Sequence, residues 1–249
     1  MLSIKHIPVE KRQELYKKAK ELHNIGIGYV KASKLLNLSR WTLANWTTRN
    51  QNPLSNMRLA NLKPSKELSY IVGVMQGDGS YFKTSTNICR IALACKDLEF
   101  IKYYLTCLQK VLNRKFPFWE ERNNFYKTQA GSKHLYEFLV FKSWLNLVHK
   151  FPREFIRGFL DSEGWVDITS RRVCAANTDL KTIQLTTQLL NDCKISTQKI
   201  QKREIAKRKP IYELRMAGKN NLTLFQKTIG FTIKRKNRSL KELLSRYEK

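Results

Sequence analysis

Through residues 1–50 the apolar positions recur at helical spacing, with two breaks. Pro8-Val9-Glu10 places a proline and an acid in a first turn, and the spacing predicts a helix from there to about His23. Asn24-Ile25-Gly26-Ile27-Gly28 interrupts it. A second helix sets Ala32, Leu35 and Leu36 on one face and stops at Asn37-Leu38. Ser39 then offers an N-cap for a third, Arg40 to Thr47, with Leu43 and Trp46 turned inward. The breaker clusters Asn50-Gln51-Asn52-Pro53 and Lys63-Pro64-Ser65 bound a linker at 51–66.

Beyond the linker the pattern occurs twice. Tyr70-Ile71-Val72-Gly73-Val74-Met75-Gln76-Gly77-Asp78-Gly79 reappears as Phe155-Ile156-Arg157-Gly158-Phe159-Leu160-Asp161-Ser162-Glu163-Gly164. RIALACKDLEFIKYYL from Arg90 is echoed by RVCAANTDLKTIQLTT from Arg172, and FYKTQAGSKHLYEFL from Phe125 by IYELRMAGKNNLTLF from Ile211. Three matches in the same order mark two copies of one unit, 67–150 and 151–249. Each copy reads helix, two strands, helix, two strands, helix. The first has strands at Ser80–Asn87, Cys89–Cys95, Phe116–Arg122 and Phe125–Ala130, with helices at Leu98–Val111 and Leu135–Phe141. The second has strands at Trp165–Thr169, Val173–Ala176, Ser196–Lys202 and Ile211–Ala217, with a helix at Leu180–Asp192. Hairpin-length turns between strands predict an α+β fold with antiparallel sheets and helices on one face.

Charge then narrows the partner. The 249 residues carry 47 Lys+Arg against 20 Asp+Glu, a net +27 spread from Lys5 to Lys249. A globular body this basic repels itself, so a polyanion is the expected partner, with nucleic acid ahead of a membrane surface. No apolar run is long enough to span a bilayer, and the N-terminus lacks the apolar core of a signal peptide. The cysteines Cys89, Cys95, Cys107, Cys174 and Cys193 are odd in number and form no CxxC pair, and the four histidines are scattered. Buried thiols in a reducing cytoplasm are expected, rather than disulfides or a zinc site.

The repeated decapeptide carries the chemistry. Gly73 and Gly77, matched by Gly158 and Ser162, are small residues at i,i+4 spacing, which lets two helix backbones approach closely and join the halves at a pseudo-twofold axis. An acid follows each small residue, Asp78 or Glu163, and then a glycine suited to the left-handed position that ends a helix. Each carboxylate thus sits at a helix C-terminus, where the dipole disfavours it by about 0.3–1 kcal/mol. A single acid there would be a solvated bystander. Two brought together in so basic a chain call for a divalent cation, and hard carboxylate oxygens suit Mg²⁺, with Mn²⁺ as the alternative.

IVGVMQGDG and IRGFLDSEG resemble the two signature motifs of a monomeric LAGLIDADG homing endonuclease. The resemblance implies a pseudo-twofold pair of αββαββα units whose sheets form a saddle over a long, asymmetric double-stranded DNA site. It implies that Asp78 and Glu163 hold metal at the scissile phosphates, helped by the backbone carbonyls of Gly77 and Ser162. Metal-activated water would then cut both strands across the minor groove, leaving 3′-hydroxyl and 5′-phosphate ends. It implies a lysine near the end of each half, for which Lys142 and Lys236 stand in about the right places, although their separation exceeds the repeat offset and contact with phosphate fits both at least as well. The sixth motif position departs between the copies, being Gln76 in one and Asp161 in the other. A helical rotation of about 200° from Glu163 predicts that Asp161 faces its own half or solvent.

DNA contacts are expected from Lys83, Arg122, Lys127, Gln198, Lys199, Gln201, Lys202, Arg203 and Arg215 on the sheets. The first three helices resemble the small helix-turn-helix modules of resolvases and transposases, with Arg40, Trp41, Thr42 and Asn45 on the reading helix. Two other functions fit the fold, an intron RNA maturase and a DNA-binding regulator without catalysis. Retention of both acids favours the nuclease over the regulator, and the helix-turn-helix favours it over the maturase. Met1 supplies no splicing Cys or Ser, so an intron-encoded or free-standing gene is expected rather than an intein.

Overall fold

The computed structural model describes residues 7–55, 58–86, 88–121 and 124–247. The chain divides into two compact units, Met1–Leu59 and Ala60–Lys249, each with its own core.

The first unit is three helices, α1 (Val9–Asn24), α2 (Tyr29–Leu36) and α3 (Arg40–Thr47). They close over Ala19, Ala32, Leu38, Leu43 and Trp46, with the Tyr16 ring edge-on to Trp46 at 5.8 Å. Ser39 caps α3, its hydroxyl accepting from the Thr42 N–H at 3.0 Å. Asn37 ends α2 in left-handed backbone, a conformation asparagine tolerates. Leu35 differs from expectation, being exposed. The buried face of α2 is Ala32 and Ser33, and two further residues rotate the chain by about 200°, which carries Leu35 to the outside. Leu38 takes the inner place, and its carbonyl accepts from the Ser33 hydroxyl at 2.6 Å.

The second unit begins with α4 (Lys66–Met75), β1 (Ser80–Lys83), β2 (Cys89–Cys95), α5 (Leu98–Leu112), β3 (Trp119–Glu121), β4 (Phe125–Gly131), α6 (Lys133–Val140) and α7 (Leu145–Lys150). It continues with α8 (Pro152–Glu163), β5 (Gly164–Asp167), β6 (Arg172–Asn177), α9 (Leu180–Asp192), β7 (Gln201–Arg203), β8 (Ile211–Ala217), α10 (Lys219–Thr228) and α11 (Lys234–Ser245). The strands form two antiparallel sheets of identical topology, β1-β2-β4-β3 and β5-β6-β8-β7. Within each, alternate residues face the core: Ile91, Leu93 and Cys95 in one, Val173, Ala175, Leu214 and Met216 in the other. The outer strands β1, β3 and β7 are shorter than the sequence pattern predicts. Pro117, lacking an N–H for the ladder, precedes β3, and its carbonyl accepts from the Thr128 hydroxyl at 2.9 Å. The short helix α7 and the mostly polar α11 lie outside the predicted elements.

The halves meet where α4 and α8 cross. A Cβ on Gly73 would overlap the Phe155 carbonyl oxygen and lie 2.9 Å from the Phe159 nitrogen. Reciprocally, a Cβ on Gly158 would overlap the Tyr70 carbonyl oxygen and lie 3.0 Å from the Val74 nitrogen. At the far end of the seam Gly77 faces Ser162, the second small residue of the matching pair. One apolar core runs through both halves, including Tyr70, Ile71, Phe155 and Phe159, all inaccessible to solvent. The cysteines Cys89, Cys95, Cys107 and Cys174 are buried, and burial pushes the thiols of Cys95, Cys107 and Cys174 up to about 12. Among the described residues no helix is long and apolar enough to cross a membrane.

Gly158→Ala is expected to destabilise the second unit by about 3 kcal/mol, the upper end of overpacking costs, because backbone rather than a movable side chain is in the way. Gly131→Ala, where a Cβ would meet nothing nearer than 3.7 Å, should change stability little. Urea unfolding of the two variants measures the contrast.

Candidate functional site

The seam of α4 and α8 leads to the paired acids. Glu163 is the last residue of α8, and β5 begins at the next residue, Gly164. Asp78 lies in the turn that closes α4, where the Gly77 and Gly79 N–H groups both return to the Val74 carbonyl, at 3.1 and 2.9 Å. The two following glycines are not in left-handed backbone. Gly164 has φ −87° and ψ 150°, and the positive-φ glycines among the described residues are Gly26, Gly218 and Gly230. Their requirement is space: a Cβ on Gly79 would lie 2.9 Å from Met75 Cα, and one on Gly164 would lie 3.1 Å from Leu160 Cα.

Burial raises the pKa of Asp78, with the Lys236 ammonium opposing that rise and the Asp97 carboxylate adding to it. Glu163 is pushed up to about 7, first by burial and then by the charge on Asp78. The negative charge on Asp78 thus resists ionisation of its neighbour. Two interactions restrain the rise at Glu163, a 2.9 Å hydrogen bond from the Asn177 side-chain amide and the more distant charge of Lys236. The same Asn177 nitrogen donates to the Gln76 carbonyl at 3.2 Å, tying the end of α4 to the carboxylate that ends α8.

Lys236, in the first turn of α11, is buried, and its ammonium donates to the carbonyls of Leu160 (3.0 Å) and Asp161 (2.5 Å). These are carbonyls of the last turn of α8, where the dipole favours a cation. Burial nevertheless lowers its pKa to about 8, despite the opposing carboxylates of Asp161, Asp78 and Asp97. Asp161 is buried rather than solvent-facing, and it reaches beyond its own half. It accepts from the Thr232 N–H and from the Tyr70 hydroxyl of α4, each at 2.8 Å. The side of α8 on which Asp161 lies is therefore the seam with α4, not solvent.

Lys142 stands elsewhere. It is exposed, in left-handed backbone, at the turn closing α6, where its N–H bonds the Leu139 carbonyl at 3.2 Å. Gly230 holds the corresponding turn after α10, also in left-handed backbone, so Lys142 matches Gly230 rather than Lys236. The cation acting on both carboxylates is Lys236, and no lysine of the first half does so among the described residues.

Strand register sorts the expected DNA contacts. Lys127, Arg215, Gln201 and Arg203 occupy outward positions, away from the core. Lys127 pairs with Glu121 at 3.4 Å, and Arg215 grips Glu213 through two bonds of 2.7 and 3.2 Å. Lys83 and Lys202 have the opposite parity, opposite Cys89 and Tyr212, and are exposed because they lie on outer strands; Lys202 pairs with Glu204 at 2.5 Å. Gln198 and Lys199 are exposed just before β7, and Arg122 lies outside the described residues. In the first unit Arg40 and Trp41 are exposed and Thr42 is half-buried on the Ser39 hydroxyl. Asn45 is buried, and its side-chain oxygen accepts from Arg49 at 3.2 Å. Asn45 therefore does not present itself to a groove.

Asn177, Phe82, Trp119 and Trp165 were missed from the sequence. Asn177 corresponds to Cys95 in the repeat and has core-facing parity, so a polar residue there was a legible break in pattern. Phe82, Trp119 and Trp165 are half-exposed on outward positions of the sheets, which strand alternation would have flagged.

No group of three or more His, Cys, Asp or Glu gathers among the described residues. The donor set at the seam is two carboxylates that burial and nearby negative charge hold above their usual range. That set fits an oxygen-preferring cation such as Mg²⁺, which keeps several waters and shares its remaining positions with substrate phosphate.

Residues 150–230 match the LAGLIDADG-like domain. Over its full length the chain is 29% identical to the uncharacterized protein MJ0398 of Methanocaldococcus jannaschii, covering 100% of both. It is also 25% identical, over 76% of its length, to 17% of the probable translation initiation factor IF-2 of the same organism. The fold is similar to I-DmoI in complex with DNA and Ca, with a TM-score of 0.54 and 20% identity over 72% of this chain and 100% of that one. For I-DmoI in complex with DNA and Mn the TM-score is 0.52, with 22% identity over 68% and 98%. Full-length DUF199/WhiA from Thermatoga maritima gives 0.51, with 17% identity over 75% and 62%. The α+β arrangement with two antiparallel four-stranded sheets is the LAGLIDADG fold of the homing endonuclease I-DmoI.

Asp78→Asn is expected to lower the pKa of Glu163 from about 7 while leaving it above an ordinary glutamate, since burial remains. Carbon-detected NMR titration of glutamate carboxyls in metal-free protein reads this. A raised native pKa means the folded state binds the proton more tightly. The stability contributed by protonated Glu163 is therefore complete below pH 4.5 and lost as pH rises through about 7. Denaturant midpoints across that window should fall less steeply in Glu163→Gln than in the wild type.

Proposed function

We propose that the protein is a site-specific, divalent-metal-dependent endonuclease that binds double-stranded DNA and hydrolyses both strands beside the α4–α8 seam. The observation that carries this reading is the pairing of Asp78 and Glu163, electrostatically coupled and converging at two helix ends. A likeness to I-DmoI, which has been crystallised with DNA and Mn or Ca, points the same way.

In this reading the carboxylates of Asp78 and Glu163 hold the metal, with the carbonyls of Gly77 and Ser162 as further oxygen donors. A bound divalent cation would supply Lewis acidity and a water of lowered pKa. Asn177 keeps the Glu163 carboxylate turned toward the end of α4. Lys236 keeps a positive charge near Asp78 and gives the site a proton carrier whose pKa, about 8, lies close to the working range. Outward-facing Lys127, Gln201, Arg203 and Arg215 meet phosphates and base edges, alongside Gln198 and Lys199 at the mouth of β7. A single chain carries both acids, so one copy suffices.

The first unit acts as an accessory helix-turn-helix. Between Glu21 and Glu67 the sequence contains no acidic residue, while Lys31, Lys34, Arg40, Arg49 and Arg58 are basic. Arg40 and the open indole of Trp41 lie on α3, the helix that would enter a groove.

Asp78→Asn and Glu163→Gln should each reduce double-strand cleavage at least about 1,000-fold, as for loss of a ligand of an activated water, while affinity in Ca²⁺ is kept or increased. Sites selected from random duplexes in Ca²⁺, followed by Mg²⁺ addition and end mapping, provide the assay. Normal linearisation by either variant sinks the metal-site assignment, and retained binding without cleavage by the wild type points to a non-catalytic DNA-binding protein.

Affinity should fall steeply with salt. At about 0.9 per neutralised phosphate and about ten contacts, log K against log[salt] should slope near −9. A slope shallower than about −3 would show that the basic outer surface is not the binding surface.

A further inference from the structure

Three successive residues fasten the first turn of α11 to both halves of the second unit. The Lys234 N–H donates to Glu99 Oε1 at 2.8 Å. The Arg235 guanidinium makes a two-pronged bond to Asp97, Nε to Oδ1 at 2.7 Å and Nη2 to Oδ2 at 2.8 Å. Lys236 turns the other way, onto the Leu160 and Asp161 carbonyls of α8. Asp97 and Glu99 open α5 in the first half, so Arg235 bonds across the halves while its neighbour bonds within its own. Arg235 also walls a cavity of about 270 Å³ together with Asp78, Lys96, Asp97 and Ser162.

The arrangement has no twin. Asp179, the counterpart of Asp97 in the repeat, has its carboxylate occupied by the Lys181 N–H (3.1 Å) and the Thr182 hydroxyl (2.9 Å). The helix α7, placed in the first half as α11 is in the second, opens Leu145-Asn146-Leu147 and offers no cation there.

We infer that Arg235 is a positioning residue, whose bond to Asp97 locks the first turn of α11 and keeps Lys236 inserted between the end of α8 and Asp78. A lysine stem is flexible and its ammonium is strongly hydrated, so burial alone would let it swing to water. A planar, two-pronged guanidinium–carboxylate bond fixes direction as well as distance, which a point charge does not. The bond also occupies Asp97, whose carboxylate would otherwise stand unpartnered beside Asp78. The two ends of the seam then differ in degree: Lys236 acts on both carboxylates, but at Asp78 it is the main interaction opposing the rise, whereas at Glu163 the neutral amide of Asn177 comes before it. The consequence for cleavage rests on the endonuclease reading, but the placement of Lys236 does not.

The test uses full-length protein with Arg235→Gln, Asp97→Asn and the milder Arg235→Lys. Acetylation by an amine-reactive reagent, without DNA or metal and read by mass spectrometry, reports how often Lys236 leaves its place. Protection follows the population of the open state, so labelling of Lys236 should rise at least about tenfold in Arg235→Gln and Asp97→Asn, and less in Arg235→Lys. The double variant should be no worse than either single one, since both remove the same bond. In strand-resolved cleavage of a plasmid, one strand should slow by about 10–100-fold, the cost of misplacing a group near the chemistry. The other strand should hold within about twofold, so nicked circles accumulate.

Unchanged protection of Lys236 in both variants overturns the proposal. So does equal slowing of both strands together with a lowered thermal midpoint, which is what a merely structural bond predicts. If the wild type cuts no DNA while labelling rises as expected, the endonuclease reading fails and the latch stands.

Discussion

Backbone-to-backbone contact between α4 and α8 is the constraint on which the second unit depends. Gly73 meets the Phe155 carbonyl and Gly158 meets the Tyr70 carbonyl, so neither helix can carry a side chain where they cross. That closeness draws the two helix ends together and makes Asp78 and Glu163 neighbours. Each sheet is attached to the end of its helix with little slack, β5 starting at the residue after Glu163. The position of the acids and the orientation of the two sheets are thus set by one contact, and a change there propagates to both. The mutual repulsion of the acids is stored in the folded state, held by an apolar core that includes some of the largest fully buried side chains of the chain.

Much of this was legible in the sequence because the repeat doubles every signal. Helix α9 and strands β2 and β8 have the predicted bounds, and α3 follows from its Ser39 cap. These elements have strong period and clear punctuation. Elements without such signals were missed or misplaced. Helix α11 has a polar sequence whose buried residues, Lys236, Leu240 and Leu243, include a lysine, so periodicity hides it. Strands β1 and β7 lie on sheet edges, where pairing on one side decides length and propensity decides little.

The candidate site shows the same division. The acids follow from a pattern within ten residues, whereas their environment comes from residues distant in sequence. Asn177, Arg235 and Lys236 approach the seam from β6 and α11; Asn177 breaks the apolar pattern of its strand and Lys236 stands where the family resemblance places a lysine, but nothing local singles out Arg235. The symmetry argument also misled in one respect. It sought a lysine in each half, but Lys142 occupies the left-handed turn that Gly230 holds in the other copy, and among the described residues the lysine acting on the acids is Lys236 of the second half. Likewise the glycines after the acids are needed for room against Met75 and Leu160, and the dihedral rule that suggested them gave the right residue for a different reason.

The hydrogen bond between Tyr70 and Asp161 has a further consequence, for self-association. The reciprocal glycine crossing is self-complementary, so on shape alone a second half could pair with another second half, in the manner of an isologous dimer. Asp161 disfavours that exchange. The counterpart of Tyr70 in the second half is Phe155, which has no hydroxyl, and the counterpart of Asp161 in the first half is Gln76. Two second halves would bury two carboxylates against two phenyl rings, each missing a donor, and desolvated charges left short of partners are heavily penalised. The Tyr70–Asp161 bond thus joins a first half to a second half and is not available to two copies of either.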